Sequence, residues 1–393
     1  MWPRCLVSAA ILLPPFANRG FMAKPRVAIA KCRSYEPAEV QLAVKEAVDA
    51  LGGIAKFVSP GDRVLLKVNL LMAKAPDDAV TTHPAVVRAA IQLLESAGAK
   101  VVVGDSPAMG FNQARLEKHY RNAGLYEAIK GTRAELNMDV STARVPNPGG
   151  KLVKSLEVIG VATKVDKIVS LPKLKTHSFT TFTGAIKIHY GLVPGYVKAA
   201  YHAKLPDPKD FSEMLLDVAM WAKPALVIMD GVVGMEGAGP SGGDPKHAGA
   251  ILASADVVAM DVAATTLVKM DPMSVPAISN AVARGLSTGK IQDVDVVGAP
   301  LADFADVRFR WDGAKVSNLP AAAPEFMLKR WMRRPVPSLE RCVACGECVR
   351  MCPKQCIEIK PKSGKRIAIM DYKKCIRCYC CHEVCPEKAI DLI

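Results

Sequence analysis

Eight cysteines near the C-terminus fall into two runs of identical spacing. The first is Cys342-x2-Cys345-x2-Cys348-x3-Cys352-Pro353, and the second is Cys375-x2-Cys378-x2-Cys381-x3-Cys385-Pro386. Thiolates are soft donors, and three in close succession can cap three irons of one cubane. The fourth, before a proline, points away and reaches the neighbouring cubane. The spacing therefore predicts two 4Fe–4S clusters. Cys342, Cys345, Cys348 and Cys385 hold one; Cys375, Cys378, Cys381 and Cys352 hold the other. A zinc ribbon shows two short cysteine pairs, not four-cysteine runs closed by proline. A disulfide framework suits a small secreted domain, not the tail of a long chain.

The two runs align at a constant offset of 33 residues, which also sets Ile357 on Ile390 and Ile359 on Leu392. The duplication predicts two short hairpin-and-turn units about a pseudo-twofold axis, with Ile357 and Ile390 sealing the clusters from water. Cys356 falls on Ala389 and Cys380 on Glu347, so neither is expected to be a ligand. Residues 338–393 resemble a bacterial two-cluster ferredoxin throughout.

Polar residues gather after several expected strands upstream. Asn69 follows Val68, and Gly104-Asp105-Ser106-Pro107 follows Val103. Pro172-Lys-Leu-Lys-Thr-His177 follows Leu171, and Asp230-Gly231 follows Met229, leading to a glycine-rich stretch at 234–245. Ligands collect at the carboxyl ends of parallel strands, so these segments form a candidate site. The richest is 171–195, read as a loop. Lys173, Lys175 and Lys187 could fix an anionic group as point charges. His177 could shuttle protons or ligate a metal, as could His189. Thr183 offers a hydroxyl, and Gly184 lets backbone approach a ligand. Asp105 and Glu236 could support the chemistry, and Ser106 and Asn69 could bind. His83, in Thr81-Thr-His-Pro84, stands ahead of a helix whose N-terminus favours anions. The 234–245 stretch has neither the Walker lysine nor the GxGxxG spacing.

These segments need elements to hold them. Strand signals at 26–31, 63–68, 101–103, 167–171, 225–229 and 251–253 alternate with helix signals at 39–51, 84–97, 211–221 and 256–269. The alternation predicts an α/β core with a mostly parallel sheet covered by helices, followed by a small α+β two-cluster domain. The expected boundaries are an extension at 1–21, a core at 22–299, a linker at 300–337 and the cluster domain at 338–393. The linker carries a short basic helix at 329–334. The 1–21 segment reads as upstream of a natural start at Met22, since its apolar stretch is short and broken by Pro14-Pro15; the alternative is a weak signal-like extension.

The chain has 393 residues, a formal charge of +14, and 50% hydrophobic with 6% aromatic residues. Two clusters with their thiolates bring roughly −4, which leaves the excess basic charge on the core and linker. That favours a small anionic substrate or an acidic redox partner protein. No nucleic-acid motif accompanies the charge, and no apolar stretch reaches the ~20 residues of a membrane-spanning helix. Oxygen-sensitive clusters and the unpaired Cys5 and Cys32 fit a reducing cytoplasm. The residues leave open a further metal or organic cofactor in the core, and the oligomeric state.

Gly61-Asp-Arg-Val-Leu-Leu-Lys-Val-Asn69, Thr-Thr-His-Pro84, Gly104-Asp-Ser-Pro107, Lys175-Thr-His177 with Thr183-Gly-Ala-Ile-Lys187, and the 234–245 stretch resemble the domain of unknown function 362 family. The resemblance covers nearly the whole chain from Met22 and implies an iron–sulfur protein of anaerobes. A fainter one is to nickel-pincer lactate racemases, which carry a His and a Lys ten residues apart before Pro-Gly, as His177, Lys187 and Pro194-Gly195 stand here. Where that family has a further histidine this chain has Asp105-Ser106, so the likeness implies a scaffold and cleft rather than the pincer. The residues together predict a redox enzyme whose clusters relay electrons to or from an anionic substrate or cofactor in the core. The alternative is an electron carrier or maturation factor docking a client enzyme.

Overall fold

The computed structural model describes residues 23–108, 110–311 and 332–393. Ten strands share one sheet: β1 (Arg26–Lys31), β2 (Arg63–Val68), β3 (Lys100–Gly104), β4 (Glu135–Leu136), β7 (Lys167–Leu171), β8 (Lys173–His177), β9 (Thr181–Thr183), β10 (Leu226–Glu236), β11 (Asp244–Ser254) and β12 (Asp295–Gly298). A separate hairpin joins β5 (Thr142–Pro146) to β6 (Ser155–Ile159). The spatial order is β12-β1-β11-β10-β7-β2-β3-β4, with β8 beside β10 and β9 beside β8. Pairings from β10 through β7, β2 and β3 to β4 are parallel, and the β10–β11 and β1–β11 pairings are antiparallel. This is the mostly parallel sheet that the alternation predicts. Central strands such as Val64-Leu-Leu66 are buried on both faces, which is why they read as unbroken apolar runs.

Helices cover both faces. On one lie α1 (Pro37–Asp49), α2 (Pro84–Ser96), α3 (Gln113–Asn122) and α4 (Leu125–Ile129). On the other lie α5 (Gly195–Lys204), α6 (Pro208–Ala222), α7 (Val257–Leu267) and α8 (Pro276–Ala283). Proline opens α1, α2, α6 and α8, where its missing N–H costs nothing.

Two stretches read as loops are ordered differently. Pro172 has no N–H to continue β7, so the chain jogs and rejoins the sheet edge as β8, where it packs against β10 and turns back as β9. The segment around 234–245 is the end of a long hairpin: β10 and β11 run eleven residues each, and only 237–243 is turn. Of the expected basic helix, residues 329–331 lie outside the described residues, as does the 1–22 segment.

The cysteine-rich domain contains β13 (Pro335–Pro337), β14 (Ile357–Lys362), β15 (Lys365–Met370) and β16 (Ile390–Leu392), with one-turn helices at Glu347–Met351 and Cys380–Glu383. The 33-residue duplication is written in the backbone. Left-handed residues recur in register as Ala344 and Arg377, Gly346 and Tyr379, Gln355 and Lys388.

A buried ion pair locks β8 to β10. Lys173 Nζ lies 2.8 Å from Asp230 Oδ2, and both side chains are fully buried. Asp230 also accepts from Tyr35 Oη at 2.8 Å and the His83 amide at 2.9 Å. Asp230→Ala strands a buried ammonium and should cost about 3–5 kcal/mol, read as a lowered denaturant midpoint. Lys173→Met in the same chain should recover part of that loss, because no uncompensated charge then remains.

Candidate functional site

The eight motif cysteines line two cavities. Cys342, Cys345, Cys348 and Cys385 ring one, with Ile359, Ala368 and Ile390 in its wall. Cys352, Cys375, Cys378 and Cys381 ring the other, with Ile357, Met370 and Tyr379. The crosswise grouping is the one a duplicated cluster fold requires, and apolar walls suit a buried cubane. Amides turned inward donate to sulfur: Arg377 N to Cys375 Sγ and Cys356 N to Cys352 Sγ at 3.4 Å, and Ala389 N to Cys385 Sγ at 3.1 Å. Such bonds favour thiolate and set cluster potential. The cavities differ in one respect. Cys356 and Cys380 also line the second, and Cys356 Sγ lies 3.4 Å from Cys352 Sγ.

A cleft opens at the carboxyl ends of β2, β3 and β7. Asn69 follows β2, Asp105 and Ser106 follow β3, and β8 brings Lys175 and His177 across them. Thr183 ends β9, Lys187 opens a 3-10 helix, and α5 supplies Lys198 and His202. The loop carrying Lys187 is pinned from α7, where Asp261 accepts from the Ala185 and Ile186 amides at 2.5 and 3.0 Å. A Cβ on Gly184 would stand 2.1 Å from Asp261 Oδ1, so this glycine makes room for the carboxylate rather than for a ligand. Lys67 pairs with Asp105 at 2.9 Å, and Asp105 Oδ2 holds the Leu70 amide at 2.7 Å.

The cysteine-rich domain forms the remaining wall. Glu383, between Cys381 and Cys385, and Met351, next to Cys352, line the cleft. Glu383 Oε1 stands 3.3 Å from His177 Nε2. The hairpin end of β10 and β11 carries the contact. His382 Nε2 meets the Ala238 carbonyl at 2.9 Å, Ser241 Oγ donates to Glu383 O at 2.7 Å, and Lys388 Nζ donates to Gly243 O at 3.0 Å. Any Cβ on Gly242 would lie 2.6 Å from the His382 ring, so glycine is required for this approach. Ala108, in the cleft wall, packs with Cys378 and Cys380.

The polar groups in the cleft are unusual in being unsatisfied. Ser106 Oγ, Thr183 Oγ1 and His202 Nδ1 are buried without a hydrogen-bond partner among the described residues, and His177 Nε2 and Glu383 Oε1 face each other at 3.3 Å. Buried polar atoms are nearly always paired, so three orphans in one cleft mark a polar ligand site. Lys187 Nζ makes no hydrogen bond or ion pair among the described residues; it lies 5.4 and 5.6 Å from the centroids of the Tyr190 and Phe211 rings. Lys175 donates to Asn69 Oδ1 at 2.8 Å and Val80 O at 2.7 Å. Lys198 donates to the carbonyls of Ser106 and Pro107. Burial lowers the pKa of Lys187, and burial above all pushes Lys175 and Lys198 down to about 7.

His177 has a fixed tautomer. Its Nδ1 accepts from the Phe179 and Thr180 amides at 3.0 and 3.3 Å, so the proton sits on Nε2 and faces the cleft. Burial, then Lys187, hold its pKa well below the usual imidazole value. This geometry opposes a metal-ligand or general-base role and makes His177 a hydrogen-bond donor.

Anion affinity should depend on pH in a defined direction. Oxalate is a dianion at neutral pH and above. Its affinity should fall from about pH 7 to 9, by up to about tenfold per unit for each lysine that must be charged. Stability without ligand should move the other way. Folding lowers Lys175 and Lys198 from 10.5 to about 7, so between those values the unfolded chain binds more protons and stability rises with pH. Calorimetric titration and denaturant melts across the range read the two trends.

Of the expected core residues, Asn69, Asp105, Ser106, Lys175, His177, Thr183 and Lys187 meet in the cleft. Lys173 does not; it is consumed by Asp230 and Tyr35. His83 caps α2 through Nδ1 and stacks on Tyr35 at 3.5 Å. Glu236 binds the Arg310 amide and guanidinium at 2.8 Å and ties down the chain after β12. His189 bonds Ser170 at 3.0 Å beneath the cleft. Sequence reading missed Lys198, His202, Tyr190, Met351 and Glu383. Lys198 and His202 share a helix face four residues apart, a signal that was available.

The family described as Domain of unknown function (DUF362) matches residues 64–266, and the 4Fe-4S dicluster domain matches residues 341–389. The chain is 35% identical over 268 residues to the thylakoid-associated protein of Synechocystis sp., covering 66% of this chain and 80% of that one. Among solved structures, the lactate racemase apoprotein from Thermoanaerobacterium thermosaccharolyticum aligns at TM-score 0.37 and 13% identity, over 59% of this chain and 54% of that one. A Thermotoga maritima protein aligns at TM-score 0.32 and 15% identity, over 51% of this chain and 50% of that one. The chain thus spans about half the length of each solved structure. No helix among the described residues is long and apolar enough to cross a membrane. The chain belongs to the domain of unknown function 362 family and carries an iron–sulfur 4Fe–4S dicluster domain after that region.

Proposed function

We propose that the chain is a redox enzyme that holds a small anionic substrate in the core cleft. The observation that carries this reading is the shared wall: the domain holding the cluster cysteines contributes Glu383 and Met351 to the cleft itself. Two bound 4Fe–4S clusters supply or accept single electrons beside the cleft.

The chain's own residues do the rest. Lys187 provides the unneutralised charge for a carboxylate or similar oxyanion. His177 Nε2–H, Ser106 and Thr183 donate to oxygen, and the apolar surround keeps these bonds strong. Lys175 and Lys198, with pKa values of about 7, can hold or release a proton near neutrality. The backbone bonds to His177 Nδ1 leave that ring to orient and polarise.

The test is acceptor specificity. Anaerobically loaded, dithionite-reduced protein is mixed with 2-oxo and 2-enoic acids and with their esters, and cluster re-oxidation is followed in the visible. Acids that re-oxidise the protein while their esters do not support a cleft enzyme. Equal rates with charged and uncharged acceptors would favour the carrier reading.

A further inference from the structure

The two cysteine cavities are not placed alike. The first, ringed by Cys342, Cys345, Cys348 and Cys385, looks outward. Three of its wall residues, Val343, Cys345 and Glu387, are exposed, Val343 at 59%. None of its wall residues lines the cleft. It meets the core through polar groups on its rim. Glu347 Oε2 lies 3.7 Å from Arg115 Nη1, and Lys74 Nζ donates to the Pro386 carbonyl, beside Cys385, at 2.8 Å. The second, ringed by Cys352, Cys375, Cys378 and Cys381, is pressed against the core. Of its wall residues Lys354 alone is exposed. Cys378 and Cys380 pack in one apolar cluster with Ala108 and Met351, which both line the cleft. Leu71, also in the cleft wall, and Ala199 of α5 pack against that cluster. A second contact runs through Tyr379 of the same cavity. Its ring meets Phe179 edge-on at 6.3 Å between centroids, and the Phe179 amide is a donor that fixes His177. No wall residue of the first cavity takes part in either contact.

We propose that the cysteines of the second cavity hold the cleft-side cluster and those of the first hold the solvent-side cluster. The inference rests on the redox reading of the cleft and gives it an order. An electron from a one-electron donor in solution enters at the exposed wall of Val343 and Cys345. It crosses to the second cavity and leaves for the bound acid through the packed contact of Cys378 and Cys380 with Ala108. Each passage moves one electron, and each cubane gains what its neighbour loses, so no bond is made or broken within the cysteine-rich domain. Electron transfer slows steeply with distance and is faster through packed atoms than across a gap. The packed wall of the second cavity, and not the polar rim of the first, therefore serves the cleft. Cys378 and Cys380 are positioning residues in this account, and the exposure of Cys345 marks the opposite end of the relay.

The experiment uses the full reduced holoprotein with ¹³C-labelled oxalate as probe, and reads ¹³C hyperfine coupling to the cluster spins. Cys345→Ser and Cys378→Ser each mark one cluster, because a serine ligand alters the EPR signal of the cubane it binds. Iron is counted in each sample. The coupling should stay on the unaltered signal in Cys345→Ser and move to the altered signal in Cys378→Ser. Where serine does not hold its cluster, iron falls to about four per chain, and coupling should then survive in Cys345→Ser and be lost in Cys378→Ser. The wild type gives an independent reading. Ferricyanide added until about one iron per chain is released should strip the iron at exposed Cys345 first, and oxalate coupling after re-reduction should be retained in full. Coupling that follows the Cys345 mark, or that disappears with the first iron, overturns the order and leaves the redox reading of the cleft standing. Coupling to neither cluster overturns both.

Discussion

Cys385→Ala should remove the cluster whose other three ligands come from the first run, Cys342, Cys345 and Cys348. Iron should fall from about eight to about four per chain, because each cubane needs its fourth thiolate from the opposite unit. Cys352→Ala is the mirror-image change, and its outcome should differ. Cys356 Sγ stands 3.4 Å from Cys352 Sγ in the same cavity, whereas the position matching Cys356 in the other unit is Ala389. A spare thiol is therefore on hand for one cavity and absent from the other. Cys352→Ala should retain most of its iron, and Cys352→Ala with Cys356→Ala should drop to about four. Iron counts with EPR of the reduced proteins read this directly. Equal losses from both single variants would show that Cys356 cannot move into the ligand position.

Lys187→Met should cut oxalate affinity and acid-driven re-oxidation by about 10- to 100-fold, with iron content unchanged. A charge-assisted hydrogen bond contributes about 1.5–3 kcal/mol, and that range sets the factor. The change should not unfold the chain, since Lys187 Nζ makes no hydrogen bond or ion pair among the described residues and methionine fills similar space over Tyr190 and Phe211. Lys175→Met is a poorer test, because it strands Asn69 Oδ1 and the Val80 carbonyl. His177→Gln should lower affinity less than Lys187→Met, because the neutral Nε2–H is one donor among several.

The sheet was readable because its central strands are buried on both faces and carry dense β-branched runs. The start of α2 was readable from Pro84, whereas α1 begins at Pro37, two residues before the expected start. The strands β8 and β9 were not. Lys173, Lys175, Thr176 and His177 look like a solvated loop, yet all four are buried: distant partners hold the first three, and the Phe179 and Thr180 amides hold the His177 ring. The distant partners lie 57 to 138 residues away, beyond the reach of local pattern. The same non-local pairing separates Lys173, His83 and Glu236 from the cleft. Lys173 and Glu236 look free in sequence and are spent on Asp230 and Arg310, while His83 caps α2, as its place ahead of Pro84 allows. The cysteine grouping was readable because the duplication fixes it. The role of Glu383 was hidden inside the spacer between Cys381 and Cys385, whose residues the motif leaves unspecified.

The most direct test of the account is the distance between a bound oxyanion and a reduced cluster. ¹³C-labelled oxalate is added to reduced holoprotein, and ¹³C hyperfine coupling to the cluster spin is measured by pulsed electron–nuclear double resonance. The shared wall of Glu383 and Met351 predicts a resolved coupling that Lys187→Met abolishes. Oxalate that binds tightly without coupling to either cluster would separate the cleft from the electron relay and contradict the account.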